Sequence, residues 1–222
     1  MSNHMQYPLR TLLMQRWLLV LGSILLLSPL QAEPIPPNTV LETASREMIS
    51  AINANHENIK ADPTVLNGLV EEILMPHIDF IAASKWVLGK HWRSASKEQK
   101  LEFIRQFRTL LLRFYSTALS EYLTTNMVTE DMFVFLPLRG DTSTKQLTVN
   151  SEIHAPSGSI IPVKYSMHLT NKGWKVYDVS IEGISMVTTY RTSFAAEIKQ
   201  KGLDGLIASI TERNDKLTKK DS

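Results

Sequence analysis

The spacing of apolar residues changes twice along this chain and so divides it into three stretches. Up to about Tyr122 they recur every three or four residues, the period of a helix with one buried face. From about Phe133 to Ile181 they alternate, as in a strand with one face covered, and after Ser185 the helical period returns. Helices followed by a run of strands predict an α+β domain built on an antiparallel sheet.

The helical stretches carry readable punctuation. Thr39 and Glu42 have capping-box spacing, and Leu41, Ala44, Met48 and Ile52 follow at helical intervals. Asp62-Pro63 reads as the N-cap and first turn of a second helix running to about Leu74, where Pro76 stops it. The segment DFIAASKWVL, Asp79 to Leu88, predicts a short helix ended by Gly89. Ser96 and Gln99 form another capping box, and the helix they open reaches Tyr122 or beyond. Its stripe of Leu101, Ile104, Phe107, Leu111, Tyr115, Ala118 and Tyr122 is widened by Phe103, Leu110, Leu112 and Phe114 well past the usual arc of roughly 100°. Such a helix is either packed on both flanks or walls an internal cavity, and the pattern leaves both readings open.

Four strands are predicted, Phe133–Leu138, Gln146–His154, Ile160–Thr170 and Trp174–Ile181, with PSGS and TNKG as turns between the last three. In the third, Ile161, Val163, Tyr165, Met167 and Leu169 alternate with Pro162, Lys164, Ser166 and His168. Ser185 then caps a helix with Val187, Tyr190, Phe194 and Ile198 on one side, ended by Gly202. Asp204 opens a last helix to about Leu217.

The N-terminus changes the picture of the compartment. WLLVLGSILLLSPL, Trp17 to Leu30, follows a stretch with Arg10 and Arg16 and no acid, and its apolar core is shorter than the roughly 20 residues a membrane crossing needs. Residues 1–32 are therefore expected to be a signal peptide cut after Ala32, followed by a proline-rich spacer at 33–38, a single domain over 39–217 and a frayed tail at 218–222. The whole chain has 24 basic and 22 acidic residues, and the two arginines of the leader account for the excess. A neutral mature chain argues against nucleic acid as a partner. It has no cysteine, hence neither disulfides nor a cysteine-linked lipid anchor.

Catalytic motifs are missing. HENIK at His56 lacks the second histidine of a zinc helix, and GISMV at Gly183 has Val187 where a nucleophile elbow needs glycine. His56, His77, His91, His154 and His168 form no ligand spacing, and RGD at Arg139 reads as a turn. Tyr177 beside Asp178 is the best proton-transfer candidate, but strand neighbours point to opposite faces, which predicts that Asp178 shares no pocket with Tyr177, Val179 and Ile181. No catalytic residue, metal or cofactor is expected.

Three segments, YDVSIEGISMVTTYRTSF from Tyr177, VLGKHW from Val87 and KGLDGLIASI from Lys201, resemble the MlaC family of periplasmic phospholipid-binding proteins, also called the toluene-tolerance auxiliary family. The resemblance implies a cone-shaped antiparallel sheet, similar to that of nuclear transport factor two, wrapped by helices, with acyl chains inside and the head group at the mouth. It implies a soluble periplasmic carrier of glycerophospholipid, a monomer, working between the outer-membrane MlaA complex and the MlaD subunit of the inner-membrane transporter MlaFEDB to maintain lipid asymmetry. The residues expected against lipid are Val87, Leu88 and Trp92; Phe107, Leu111, Phe114 and Tyr115 of the wide-faced helix; Val149, Val163, Tyr165 and Met167 of the middle strands; and Tyr177, Val179, Ile181, Ile184, Val187 and Tyr190. Met186 adds an adaptable contact. Arg191 reads equally well as a surface arginine and is not taken as an essential phosphate ligand. The competing class is a periplasmic interaction protein or chaperone with a filled core.

Overall fold

The structure is a computed structural model describing residues 34–139 and 144–220. The expected signal peptide and the end of the tail lie outside those residues, as do positions 140 and 141 of the RGD turn. From Ile35 onward the described residues form one compact unit.

Among the described residues seven α-helices and five strands follow in order: α1 (Pro37–Ala54), α2 (His56–Ala61), α3 (Thr64–Leu69), α4 (Phe80–Leu88), α5 (His91–Ser94), α6 (Lys97–Leu123), β1 (Phe133–Phe135), β2 (Gln146–His154), β3 (Ile160–Thr170), β4 (Gly173–Ile181), β5 (Ile184–Ser185) and α7 (Met186–Lys220). The sheet is an open antiparallel meander in sequence order, β1 to β5. The predicted alternation of β3 holds, with Val163 and Met167 buried and Pro162 and Lys164 exposed. Helix α7 is broken at Gly202, which adopts φ 72° and ψ 177° where the sequence predicts a stop, and its second half continues past Leu217 to Lys220.

Several ends are made by the residues that announced them. Ser96 Oγ accepts from Gln99 N at 3.1 Å while Gln99 Oε1 accepts from Ser96 N at 3.0 Å, a complete capping box for α6. Asp79 Oδ1 accepts from Ala82 N at 2.9 Å and opens α4. The α1 start differs from expectation: Thr39 does not cap it, and the helix begins at Pro37, whose ring presets φ and whose missing N–H is needed by no partner in a first turn. The periodic positions Leu41, Ala44, Met48 and Ile52 all lie buried within α1, which gives way at Asn55 to the separate α2.

Beyond α3 the chain widens into a π turn, Val70–Leu74, and tightens into a 3₁₀ turn around Pro76. This corner is tied to the sheet: Asp79 N donates to Val176 O at 2.8 Å, Lys175 Nζ to Pro76 O at 2.6 Å, and His168 Nε2 lies 2.9 Å from Asp79 Oδ2.

The apolar interior is three clusters rather than one. The first joins Val87 and Leu88 to Phe103, Phe107 and Leu110 of α6 and to Phe194, Leu206 and Ile210 of α7. The second packs Met48, Ile52, Ile59, Leu66 and Val70 on the far end of α6 at Leu123. The third lies on the sheet, Val149, Met167, Trp174 and Val176, with Leu41 upon it.

Candidate functional site

Where the three clusters meet they do not close. A cavity of about 310 Å³ remains, at the lower end of the roughly 300–1,000 Å³ usual for ligand pockets. Its wall takes Phe107, Leu111, Val187 and Tyr190 from the first cluster's surroundings, Val70, Leu74, Met75, Leu112 and Leu119 from the second's, and Val176 and Val179 from the third's. Ile78, Phe80, Ala83, Tyr115, Ser116, Tyr177, Asp178, Ile181 and Met186 complete it. The wall is almost wholly apolar.

Helix α6 is thus a cavity wall and a core helix at once. One arc, Phe103 and Leu110, packs into the first cluster; the adjoining arc of Leu111, Leu112, Tyr115, Ser116 and Leu119 faces the hollow. That division accounts for a stripe too wide for a single partner.

Of the residues expected against lipid, Phe107, Leu111, Tyr115, Tyr177, Val179, Ile181, Val187 and Tyr190 line the cavity. The others are placed elsewhere. Val87 and Leu88 are buried in the first cluster with Trp92 packed against it, so they face side chains rather than space. Val149 and Met167 are buried within the sheet cluster and Tyr165 lies against it, stacked on Phe135; Val163 is also buried outside the wall. Phe114 is exposed and meets Tyr115 edge-on, and Ile184 is 64% exposed on the β5 hairpin.

The largest group absent from expectation is the segment Val70 to Ala83. The π turn directs Val70 and Leu74 to the hollow, and α4 adds Phe80 and Ala83. Periodicity marks these positions as buried without saying whether protein or space lies opposite; the one local hint is Pro76, which breaks the helix and leaves a corner over the sheet.

Asp178 corrects the strand argument. The β3–β4 register pairs Ser166 with Asp178 but Met167 with Val176, so Tyr177 is an extra, bulged residue. The bulge resets the alternation, and Tyr177 and Asp178 both border the cavity. The carboxylate is engaged structurally: its Oδ2 accepts from Ser185 Oγ at 2.7 Å and its Oδ1 from Val187 N at 3.0 Å, while Ser185 Oγ accepts from Thr188 N at 3.0 Å. It ties β4 to the positive end of α7. Between them Glu182 and Gly183, at φ 51° and 83°, make the two-residue turn of the β4–β5 hairpin.

The polar corner of the cavity is a pair of phenols. Tyr115 Oη lies 3.5 Å from Met186 Sδ and also faces the Tyr190 hydroxyl. Burial pushes both tyrosines above their ordinary value of 10.0, and the Tyr115–Tyr190 hydrogen bond raises the former and lowers the latter. The stability they lend is fully present below pH 10 and is lost above it, because the unfolded phenols ionise first. Absorbance titration is expected to show phenols that ionise late, with the latest step removed by Tyr115→Phe; a single step at the ordinary value would contradict this environment.

Two of the sequence segments that carry the family resemblance meet at one contact. A Cβ on Gly89, which ends α4 at φ 52°, would lie 3.0 Å from Nε and Nη2 of Arg191. The guanidinium therefore covers the C-terminal end of α4, where a cation is favoured. Gly89→Ala is expected to cost about 1–3 kcal/mol, because φ 52° with ψ −118° is backbone that side chains with a Cβ rarely adopt, measured by thermal melting. Removing the Arg191 side chain in the same background recovers only the steric part.

A cavity of this kind, unfilled and apolar between helices and an antiparallel sheet, is the geometry of a protein that shelters a hydrophobic ligand. The comparisons give the class its family. The family model described as MlaC protein matches residues 42–212, and the chain belongs to the MlaC family. It is 29% identical over 193 residues to toluene tolerance protein ttg2D of Pseudomonas putida, covering 86% of each chain. It is 27% identical over 204 residues to the intermembrane phospholipid transport system binding protein MlaC of Haemophilus influenzae, covering 90% of this chain and 93% of the other. A solved structure of a phospholipid-binding protein from Ralstonia solanacearum, in complex with a phospholipid, superposes with TM-score 0.73 at 25% identity, over 83% of this chain and 99% of that one. Among the described residues no group of three or more histidines and acids is placed to hold a metal ion, and no helix is long and apolar enough to cross a membrane.

Proposed function

We propose that this protein carries glycerophospholipid through the periplasm, exchanging it with an outer-membrane MlaA complex and with the MlaD subunit of an inner-membrane MlaFEDB transporter, and so helps to maintain lipid asymmetry. The observation that carries the reading is the apolar cavity left open between three well-packed clusters. A filled interior, as the interaction-protein alternative requires, is opposed by the same cavity. The bound phospholipid of the Ralstonia structure and the transport role in the Haemophilus protein's name support the cargo. Asp178, the one acid on the wall among the described residues, is tied up at the start of α7, which fits shelter rather than catalysis.

Magnitudes explain why such a carrier hides acyl chains without gripping them. At about 0.8 kcal/mol per methylene, leaving a chain of about 16 carbons in water costs on the order of 12 kcal/mol. A bilayer offers the same refuge, so exchange between membrane and cavity is near balance and docking preferences can set its direction. Native mass spectrometry of purified protein is expected to find phosphatidylethanolamine or phosphatidylglycerol bound. Protein that is repeatedly empty and takes up no acyl chain from vesicles would overturn the proposal.

A further inference from the structure

Beside the cavity, on the outer side of α4 and through α5 to the first turn of α6, lies a surface with its own chemistry. Between Lys85 and Lys100 stand five cations, Lys85, Lys90, Arg93, Lys97 and Lys100, and one acid, Glu98. Arg191 joins them, since its guanidinium rests on Gly89. With Asp204, whose Oδ1 accepts from Gln99 Nε2 at 2.8 Å, the face holds six cations against two acids, a concentrated patch in a chain whose totals are 24 and 22.

Elsewhere among the described residues six cations, Arg46, Lys60, Arg105, Arg108, Arg213 and Lys216, each meet a carboxylate, while unpaired ones such as Lys145, Lys164, Lys172 and Lys199 are scattered along the chain. Lys85, Lys90, Arg93, Lys97 and Arg191 are exposed and have no ion pair among the described residues, and Lys100 lies over the Trp92 ring, 5.6 Å from its centre. Of the two acids, Glu98 is held at the start of α6 by its own backbone N–H and by Ser96, and Asp204 is engaged by Gln99. Six cations with only two acids among them leave a net positive surface, which is complementary to a dense array of anions.

The same face is not purely cationic. On α4 Ile81, Lys85 and Trp86 share the solvent side, with Ile81 61% and Trp86 52% exposed. An exposed tryptophan and a branched aliphatic among lysines and arginines is the composition of a surface that sits at the head-group level of a membrane, with the aromatic ring between apolar and wet layers and the cations on phosphates. Trp86 also stacks on Tyr177, ring centres 6.4 Å apart, and Tyr177 lines the cavity. The inner side of α4, Phe80 and Ala83, is cavity wall.

We infer that the α4–α5 face, with Trp86 and Ile81 among Lys85, Lys90, Arg93 and Arg191, docks directly on an anionic phospholipid surface and brings the cavity against the bilayer. This goes beyond the carrier reading, which needs only protein partners, and it can fail while that reading stands.

Flotation of the purified protein with phosphatidylglycerol-containing vesicles, against vesicles of phosphatidylcholine alone, tests it. Binding is expected to the anionic vesicles only, to weaken as salt rises, and to be accompanied by a blue shift of emission that Trp86→Phe removes. The variant Lys85→Glu, Lys90→Glu, Arg93→Glu is expected to weaken binding at least about tenfold with an unchanged content of co-purified lipid. Should that variant lose its fold, Lys90→Glu alone changes a side chain that makes no ion pair or hydrogen bond, and a loss of at least about threefold is expected. Equal binding to both vesicles, no binding at low salt, or undiminished binding by these variants overturns the inference. Retention on immobilised polyglutamate without vesicle binding overturns it in favour of an acidic protein. An empty protein that still binds anionic vesicles overturns the carrier reading and leaves this one intact.

Discussion

Val187→Glu is expected to strip the protein of co-purified lipid while leaving it folded, and Ile184→Glu, three residues earlier, is expected to leave loading close to that of the unaltered protein. The two valine-like positions look alike in sequence and differ in place. Val187 lines the cavity at the first turn of α7, and its N–H donates to Asp178 Oδ1 at 3.0 Å. Ile184 is 64% exposed on the hairpin and outside the wall. A carboxylate near a helix N-terminus gains about 0.3–1 kcal/mol from the dipole, which keeps α7 in place. Against acyl chains the same carboxylate must be buried unpaired, beside a second carboxylate, at a cost of about 2–7 kcal/mol even if it takes up a proton. The second effect wins for loading, because it acts only when the hollow is filled with hydrocarbon. Lipid per protein, measured by mass spectrometry after extraction, is expected to fall at least about tenfold, since about 1.4 kcal/mol corresponds to a factor of ten. Unchanged loading in Val187→Glu, or an equal loss in Ile184→Glu, would remove this end of α7 from the binding wall.

The contrast between those two positions shows what the sequence could convey. Local chemistry was legible wherever a few neighbouring residues decide the outcome: the Ser96–Gln99 box, the Asp79 cap, Gly89 and Gly202 as helix ends, and strands β2 to β4, which lie within a residue of their predicted bounds. The wide apolar arc of α6 was legible as an oddity, and two clusters and a cavity now account for it. What alternation could not reveal was the bulge at Tyr177, a one-residue insertion against β3 that leaves composition unchanged and swaps the faces of everything after it. Nor could it separate Val87 and Leu88, which meet packed side chains, from Phe80 and Ala83 on the same helix, which meet space. Burial is written in the period of a helix, but the identity of the neighbour is a property of the tertiary arrangement.

That distinction sets the last expectation, the effect of Phe103→Ala. Phe103 and Phe107 are one turn apart, buried and stacked, with centres 5.5 Å apart, and both meet Phe194 edge-on. Only Phe107 borders the cavity. Truncating Phe103, which is 0% exposed, opens a void inside a closed cluster that no ligand reaches. The loss is about 3–5 kcal/mol, a large share of the 5–15 kcal/mol that holds a domain together. In a chain of this size each kcal/mol moves the melting temperature by about 2–4 °C, so a fall on the order of 10 °C is expected. Truncating Phe107 instead enlarges a space already present, whose remaining walls are positioned by Tyr190 and Phe194. Bound lipid stabilises the folded state by mass action, so the comparison belongs to delipidated protein, followed by repetition with lipid restored. Added lipid is expected to recover much of the loss in Phe107→Ala and little in Phe103→Ala, because acyl chains can occupy the first space and not the second. Equal recovery in both variants would mean that the wall between core and cavity does not run between these two rings.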